Sequence, residues 1–203
     1  MNLSYLGFTV EFLQTLSTIM LKKTSLIALL LSLFALLATT TSHAASAHKL
    51  EKEGRKALEE LYKKNPKARI VGDQAVGVLV FPGVYKAGFM FGGQRGDGVL
   101  FTGDTVAGYY NTTALSWGLQ AGLQKFGYAL FFMNTKALNY LHKSDGFELG
   151  GAPNLTVVDM GVAAGLSTTT LQKDIYAFFF NQKGLMAGIT LQGTKITPYT
   201  PSE

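Results

Sequence analysis

At Asn65-Pro66 the apolar pattern of this 203-residue chain changes period, and that change constrains the fold more than any other feature. Ahead of it, HKLEKEGRKALEELYKK (48–64) places Leu50, Ala57, Leu58, Leu61 and Tyr62 at helical spacing. Glu51/Arg55, Glu59/Lys63 and Glu60/Lys64 are acid-before-base pairs four residues apart, the favourable order on a helix. Lys63 and Lys64 fall where the macrodipole favours cations, and Pro66 disfavours a helical conformation at Asn65. A helix is therefore predicted from Lys49 to Lys64.

Beyond Pro66 the apolar residues come in short β-type runs separated by Gly and Pro: AVGVLVFPGVY (75–85), KAGFMF (86–91) and GVLFTG (98–103). AGFMFGGQRGDGVLF (87–101) reads as a hairpin, with Phe89, Phe91, Val99 and Phe101 in the core and its glycines at the tip. LSWGLQAGLQKFGYALFFMN (115–134) reads as two strands meeting near Gln124-Lys125. TKALNYLHKS (135–144) is a short helix capped by Asn134 or Thr135, burying Ala137, Leu138 and Leu141. LTVVDMGVAAG (155–165) is a further strand, and DIYAFFFNQKGLMAGITLQGTKIT (174–197) a hairpin turning at Asn181–Gly184. The expected class is α+β: a compact, mostly antiparallel β domain, sandwich or barrel-like, with an N-terminal amphipathic helix and one short inserted helix. Gly77, Gly88, Gly118, Gly122, Gly127 and Gly188 inside apparent strands point to strongly coiled or tightly stacked strands.

The first 47 residues have a different character. From Met20, a basic start at Lys22 and Lys23 precedes an apolar run from Leu26 to Ala38 and a small-residue tail ending Ala45-Ser46-Ala47. This is the layout of a secretory signal peptide with cleavage before His48 and translation starting at Met20, and an uncleaved anchor is the alternative. The apolar run is shorter than the roughly 20 residues that span a bilayer. Residues 48–203 form the single expected domain. The chain has no cysteine, which excludes disulfides, thiolate metal sites and Cys nucleophiles.

Charge is uneven. Residues 48–69 carry eight basic and four acidic residues, whereas 70–203 balance at eight and eight. A localised basic excess suits an anionic phospholipid surface. It does not suit nucleic acid, which would need aromatics interleaved with the cations on one face.

Signs of catalysis are few. After residue 47 only His48 and His142 remain, no His-Glu-x-x-His occurs, and Ser116 in ALSWG lacks the first glycine of a nucleophile elbow. Asp97, Asp104, Asp145, Glu148, Asp159 and Asp174 lie scattered near turns, as turn-making residues do. GITLQGTK (188–195) has a phosphate-loop frame but ends Thr-Lys within a β run, and no helix pattern follows GGQRGDG (92–98). No catalytic residue, metal site or cofactor is expected.

Five segments in order carry a family likeness. GVLVFPGVYKAGFMFGGQRGDGVL (77–100) resembles the opening of the SYLF domain, WGLQAG (117–122) its G-x-Q-x-G segment and FFMNTKAL (131–138) its strand-to-helix junction. VVDMGVAAG (157–165) and DIYAFFFNQKGLMAGITLQGTKI (174–196) are similar to its final strand and closing hairpin. Where the family often has W-S-x-P, this chain has GYYNTTALSW.

The resemblance implies a non-enzymatic β-rich domain that binds phospholipids, phosphatidylinositol lipids in eukaryotic members. Fungal relatives also bind actin. In this chain the headgroup-binding role would fall on Lys49, Lys52, Arg55, Lys56, Lys63, Lys64, Lys67 and Arg69, with Arg95 as a further contact. The expectation is an exported periplasmic or outer-membrane-associated protein. The alternatives are a surface interaction module using a loop tip at Arg95-Asp97 and a small membrane-spanning barrel.

Overall fold

The computed structural model describes residues 47–143, 147–148, 154–158, 166–167, 171–184 and 193–201, and of these the side chains at 89–90, 116–121, 147 and 184 are not described. These residues belong to the compact unit Ala44–Glu203. The expected leader before Ala47, Asp145, Asp159, the strand beyond Val158 and the hairpin residues 185–192 lie outside the described residues.

The predicted helix is α1 (Ala47–Lys64), which buries Leu50, Gly54, Ala57 and Leu61. Pro66 ends it but also starts α2 (Pro66–Gly72), which the sequence reading missed. Asn65 caps α2: its side-chain oxygen accepts from the amides of Lys67 at 3.1 Å and Ala68 at 3.3 Å. Asn-Pro is here an N-cap followed by proline in the first turn, the position where a missing N–H costs nothing.

The β region is built on two very long strands, β1 (Gly77–Thr102) and β2 (Thr105–Phe132), paired antiparallel along their whole length. One tight turn at Gly103-Asp104 joins them, with Gly103 at φ 58. Three structural corrections follow. Residues 87–101 are not a hairpin but continuous strand, residues 115–132 are one strand and not two, and the only turn in this ribbon is at its far end. Phe91 is 65% exposed, so it is not a core residue, whereas Val99 and Phe101 are buried as expected.

Strands of this length survive because bulges let them bend. The register shifts between Phe81 and Val84, Phe89 and Phe91, and Leu100 and Phe101. The ribbon then folds back on itself. The Tyr128 hydroxyl donates to Thr112 Oγ1 at 2.7 Å, although both belong to β2. Gly96 and Gly98 face the first part of their own strand: a Cβ on Gly96 would lie 2.9 Å from the Gly83 carbonyl oxygen, and one on Gly98 2.9 Å from that of Val80. Two of the glycines of GGQRGDG, Gly96 and Gly98, thus serve a close backbone approach.

Along the other edge of β2 run β5 (Ile175–Gly184), paired with residues 124–132, and β6 (Thr194–Pro198), paired with 110–114. β3 (Phe147–Glu148) pairs antiparallel with β6, and β4 (Leu155–Val157) is parallel to β5, so the sheet is mixed. The turn expected at Asn181–Gly184 is likewise strand. Asn181, at φ 52, lies within a bulge opposite Lys125–Gly127, a conformation asparagine tolerates better than most residues.

Two cores result. Between the folded halves of the ribbon lie Leu79, Phe81, Phe126, Tyr128 and Phe132, closed by Ala137 and Leu141 of α3 (Thr135–Lys143). Asn134 caps α3 by accepting from Ala137 N at 2.9 Å. On the outer face, Val78, Val80, Val99, Phe131 and Phe178 pack beneath Leu50, Ala57 and Leu61 of α1 and Val71 of α2. The architecture is α+β, a curled mixed sheet with three helices among the described residues.

Candidate functional site

The basic residues of α1 and α2 divide into two sets. Arg55 pairs with Glu51 at 3.0 Å, donates to the Asp104 carbonyl at 2.8 Å and lies 4.7 Å from the Phe101 ring centroid. It clamps α1 to the turn of the ribbon. Arg69 pairs with Asp73 at 3.0 Å and sits over the Tyr62 ring at 5.2 Å. Lys67 Nζ donates to the Leu166 carbonyl, and Lys64 Nζ to Asn181 Oδ1 at 3.4 Å. Lys63 pairs with Glu59 at 2.7 Å. That hydrogen bond and the opposed charge lower the Glu59 pKa and raise that of Lys63.

Lys49, Lys52 and Lys56 are exposed and have no hydrogen-bond or ion-pair partner among the described residues. At 100° per residue they fall within a roughly 60° arc of α1, away from the buried stripe. Lys56 lines a groove of ≈ 390 Å³ between α1 and the ribbon, with Glu53, Glu60, Tyr85, Asp97 and Lys125. The opposite flank of α1 lines a separate groove of ≈ 440 Å³ with Arg55, Leu58 and Tyr62. The set of eight therefore does not act as one patch: three lysines are open, and the rest have structural partners.

Arg95 is exposed in mid-strand, opposite Thr113, and Asp97 accepts from Asn111 Nδ2 at 2.6 Å. Neither is at a loop tip. Arg95 lines a third groove of ≈ 560 Å³ with Tyr85, Gln94, Thr113, Leu115 and Lys195. Tyr199 lies near Arg95 and Asp97, and burial pushes its phenol pKa up to about 12, aided by the Asp97 charge. Lys125, Lys183 and Lys195 escaped the sequence reading. They come to the same face only through cross-strand pairing of β2 with β5 and β6. Nothing in their local sequence announces it.

Among the described residues no group of three His, Cys, Asp or Glu side chains could hold a metal ion. None of their helices is long and apolar enough to cross a membrane. What the fold and the surface define is a β-rich domain with open grooves, two lined by charges of both signs and one by the cations Arg95 and Lys195. Residues 113–202 match the family model described as Ysc84, Las17-binding protein actin regulator, so this part of the chain is similar to the SYLF family. The match begins inside β2 and takes in α3 and β3–β6; α1, α2 and Arg95 precede it. No curated protein matches the chain.

Proposed function

We propose that this chain is a non-enzymatic, membrane-surface protein of the bacterial cell envelope, exported to the periplasm or outer membrane, that binds anionic phospholipid headgroups through α1. The observation that carries this reading is the set Lys49, Lys52 and Lys56, without a partner among the described residues and arrayed on one flank of a helix whose other basic residues are engaged. The SYLF-family match over residues 113–202 supports a binding role. The loop-tip alternative lacks its loop, because Arg95 and Asp97 stand in a paired strand.

A lysine near an anionic bilayer contributes about 1 kcal/mol at physiological ionic strength. Three together give about 3 kcal/mol, reduced by Glu53 and Glu60 beside them. Co-sedimentation of the full chain with phosphatidylglycerol vesicles, against phosphatidylcholine alone, tests the reading. Lys49→Glu, Lys52→Glu and Lys56→Glu combined should weaken anionic binding at least tenfold and flatten its salt dependence. Equal binding to both vesicle types, or an unchanged triple variant, would sink it.

A further inference from the structure

The middle of the β1–β2 ribbon carries large apolar side chains on a face that no helix among the described residues covers. Tyr85 is 53% exposed, Leu115 78% and Leu123 63%. Tyr85 is opposite Lys125 and Ala87 opposite Leu123, and beyond the register shift between Phe89 and Phe91 Gly93 is opposite Leu115. Tyr85, Ala87, Gly93 and Leu115 line one groove, which brings the two parts together on one face. It is also the face on which α1 packs farther along, over Val99 and Phe101. The opposite face at this level is lined by buried polar side chains, Lys86, Gln94 and Gln124. The exposed face is thus apolar where the buried face is polar, the reverse of what solvent exposure favours.

Cations close this apolar strip at both ends. At one end Lys125 stands directly across from Lys183 of β5, with its Nζ 4.9 Å from the Tyr85 ring centroid. Like charges directly opposite on a sheet destabilise it, unless an anion lies between them. At the other end Thr113 is flanked by Arg95 on β1 and Lys195 on β6. The acidic groups near them are Glu53 and Glu60, which share a groove with Lys125, Glu148, across from Lys195, and Asp97, which is held by Asn111.

We infer that this strip is a bilayer-inserting surface: Tyr85, Leu115 and Leu123 enter the interfacial region of an anionic membrane, while Lys125 with Lys183, and Arg95 with Lys195, bind headgroup phosphates at its two ends. The inference rests on the membrane-binding reading above and extends it from α1 to the ribbon. Apolar side chains framed by long cationic ones are the arrangement of an interfacial anchor, with the charged ends reaching to the headgroups. The same charges argue against a second copy as the occupant, because a two-fold contact would set the cationic rows of one copy near those of the other. The groove shared by Lys56, Tyr85 and Lys125 makes the strip continuous with the open flank of α1.

The absence of native cysteine allows a single-site probe. The full chain carrying Leu123→Cys, labelled with an environment-sensitive fluorophore, should shift to the blue with phosphatidylglycerol vesicles and be quenched by shallow spin-labelled lipid. The same label at Lys143→Cys on α3 should do neither. Leu115→Asn with Leu123→Asn should weaken partitioning at least about tenfold while leaving its salt slope intact, whereas the lysine triple variant flattens that slope. Both leucines are exposed, so folding should tolerate the change, and thermal unfolding checks it. If the wild-type chain sediments with anionic vesicles but the probe at 123 keeps its aqueous emission, the insertion surface is overturned and the α1 reading stands. If the chain does not sediment at all, the reading beneath it fails. A blue shift that depends on protein concentration without vesicles overturns the proposal in favour of self-association.

Discussion

The two flanks of α1 differ in kind. One holds Arg55, Leu58 and Tyr62 against the turn end of the ribbon, through an ion pair, a carbonyl hydrogen bond and ring contacts. The other carries Lys49, Lys52 and Lys56 with no partner among the described residues and opens on a groove. A helix that needed charge only for solubility would have no reason to keep its cations so separated. The comparison teaches that basic residues in one short segment do two jobs, and that partner geometry, not net charge, tells them apart.

The largest expected effect lies between the flanks, on the buried stripe. Gly54 has no room for a side chain: a Cβ there would overlap Val99 and lie 3.4 Å from the Phe101 ring. Gly54→Leu should cost about 2–3 kcal/mol, as overpacking does. On propensity alone the same change would stabilise the helix by nearly 1 kcal/mol, so the sign discriminates. Urea unfolding of the variant measures it, and a stabilised variant would mean that α1 does not sit tightly on β1.

Helices α1 and α3 and the class of fold were legible in the sequence because their signals are local, whereas α2 was hidden behind a proline read only as a stop. Spacing located α1, and Asn134 announced α3 three residues before the amide it caps. The ribbon was not legible, because glycine means two things. In GGQRGDG the sequence suggests a turn, yet Gly96 and Gly98 answer to Val84 and Val80, residues that come near only once β1 has folded over itself. At Asn181 a turn residue makes a bulge instead. The eight basic residues were visible as candidates, but Arg55's partner Asp104 lies across the fold and no local pattern reveals it. The lysines of the ribbon face were missed for the same reason.

On the clamped flank, Arg55→Ala should lower stability by about 1–2 kcal/mol through the lost carbonyl hydrogen bond and stacking on Phe101. Lys56→Ala, one residue on, serves as the matched control. Equal effects in thermal unfolding would erase the distinction between the flanks.

The clamped flank should also respond to alkali. Burial raises the Tyr62 phenol to about 12, whereas an unfolded tyrosine titrates near 10. Below pH 10 both states are protonated and stability is flat. Between about pH 10 and 12 the unfolded state loses a proton that the folded state keeps, so stability falls as pH rises. Because Tyr62 is only half-buried, solvent screening limits its share to about 1 kcal/mol. Tyr62→Phe should remove that part of the slope. Tyr110, Tyr128 and Tyr199, also shifted upward by desolvation, maintain the remainder.

The smallest effect belongs to the open flank, and it is the most informative. Lys52→Ala removes an exposed side chain with no partner among the described residues, so unfolding free energy should stay within about 0.5 kcal/mol of the parent. Its share of vesicle binding should nonetheless fall by about 1 kcal/mol, or roughly fivefold, at physiological salt. A residue that is silent in folding and audible in binding separates function from packing at a single position. If Lys52→Ala moves stability and leaves binding unchanged, the open flank is structural after all, and the contrast between the two sides of α1 collapses.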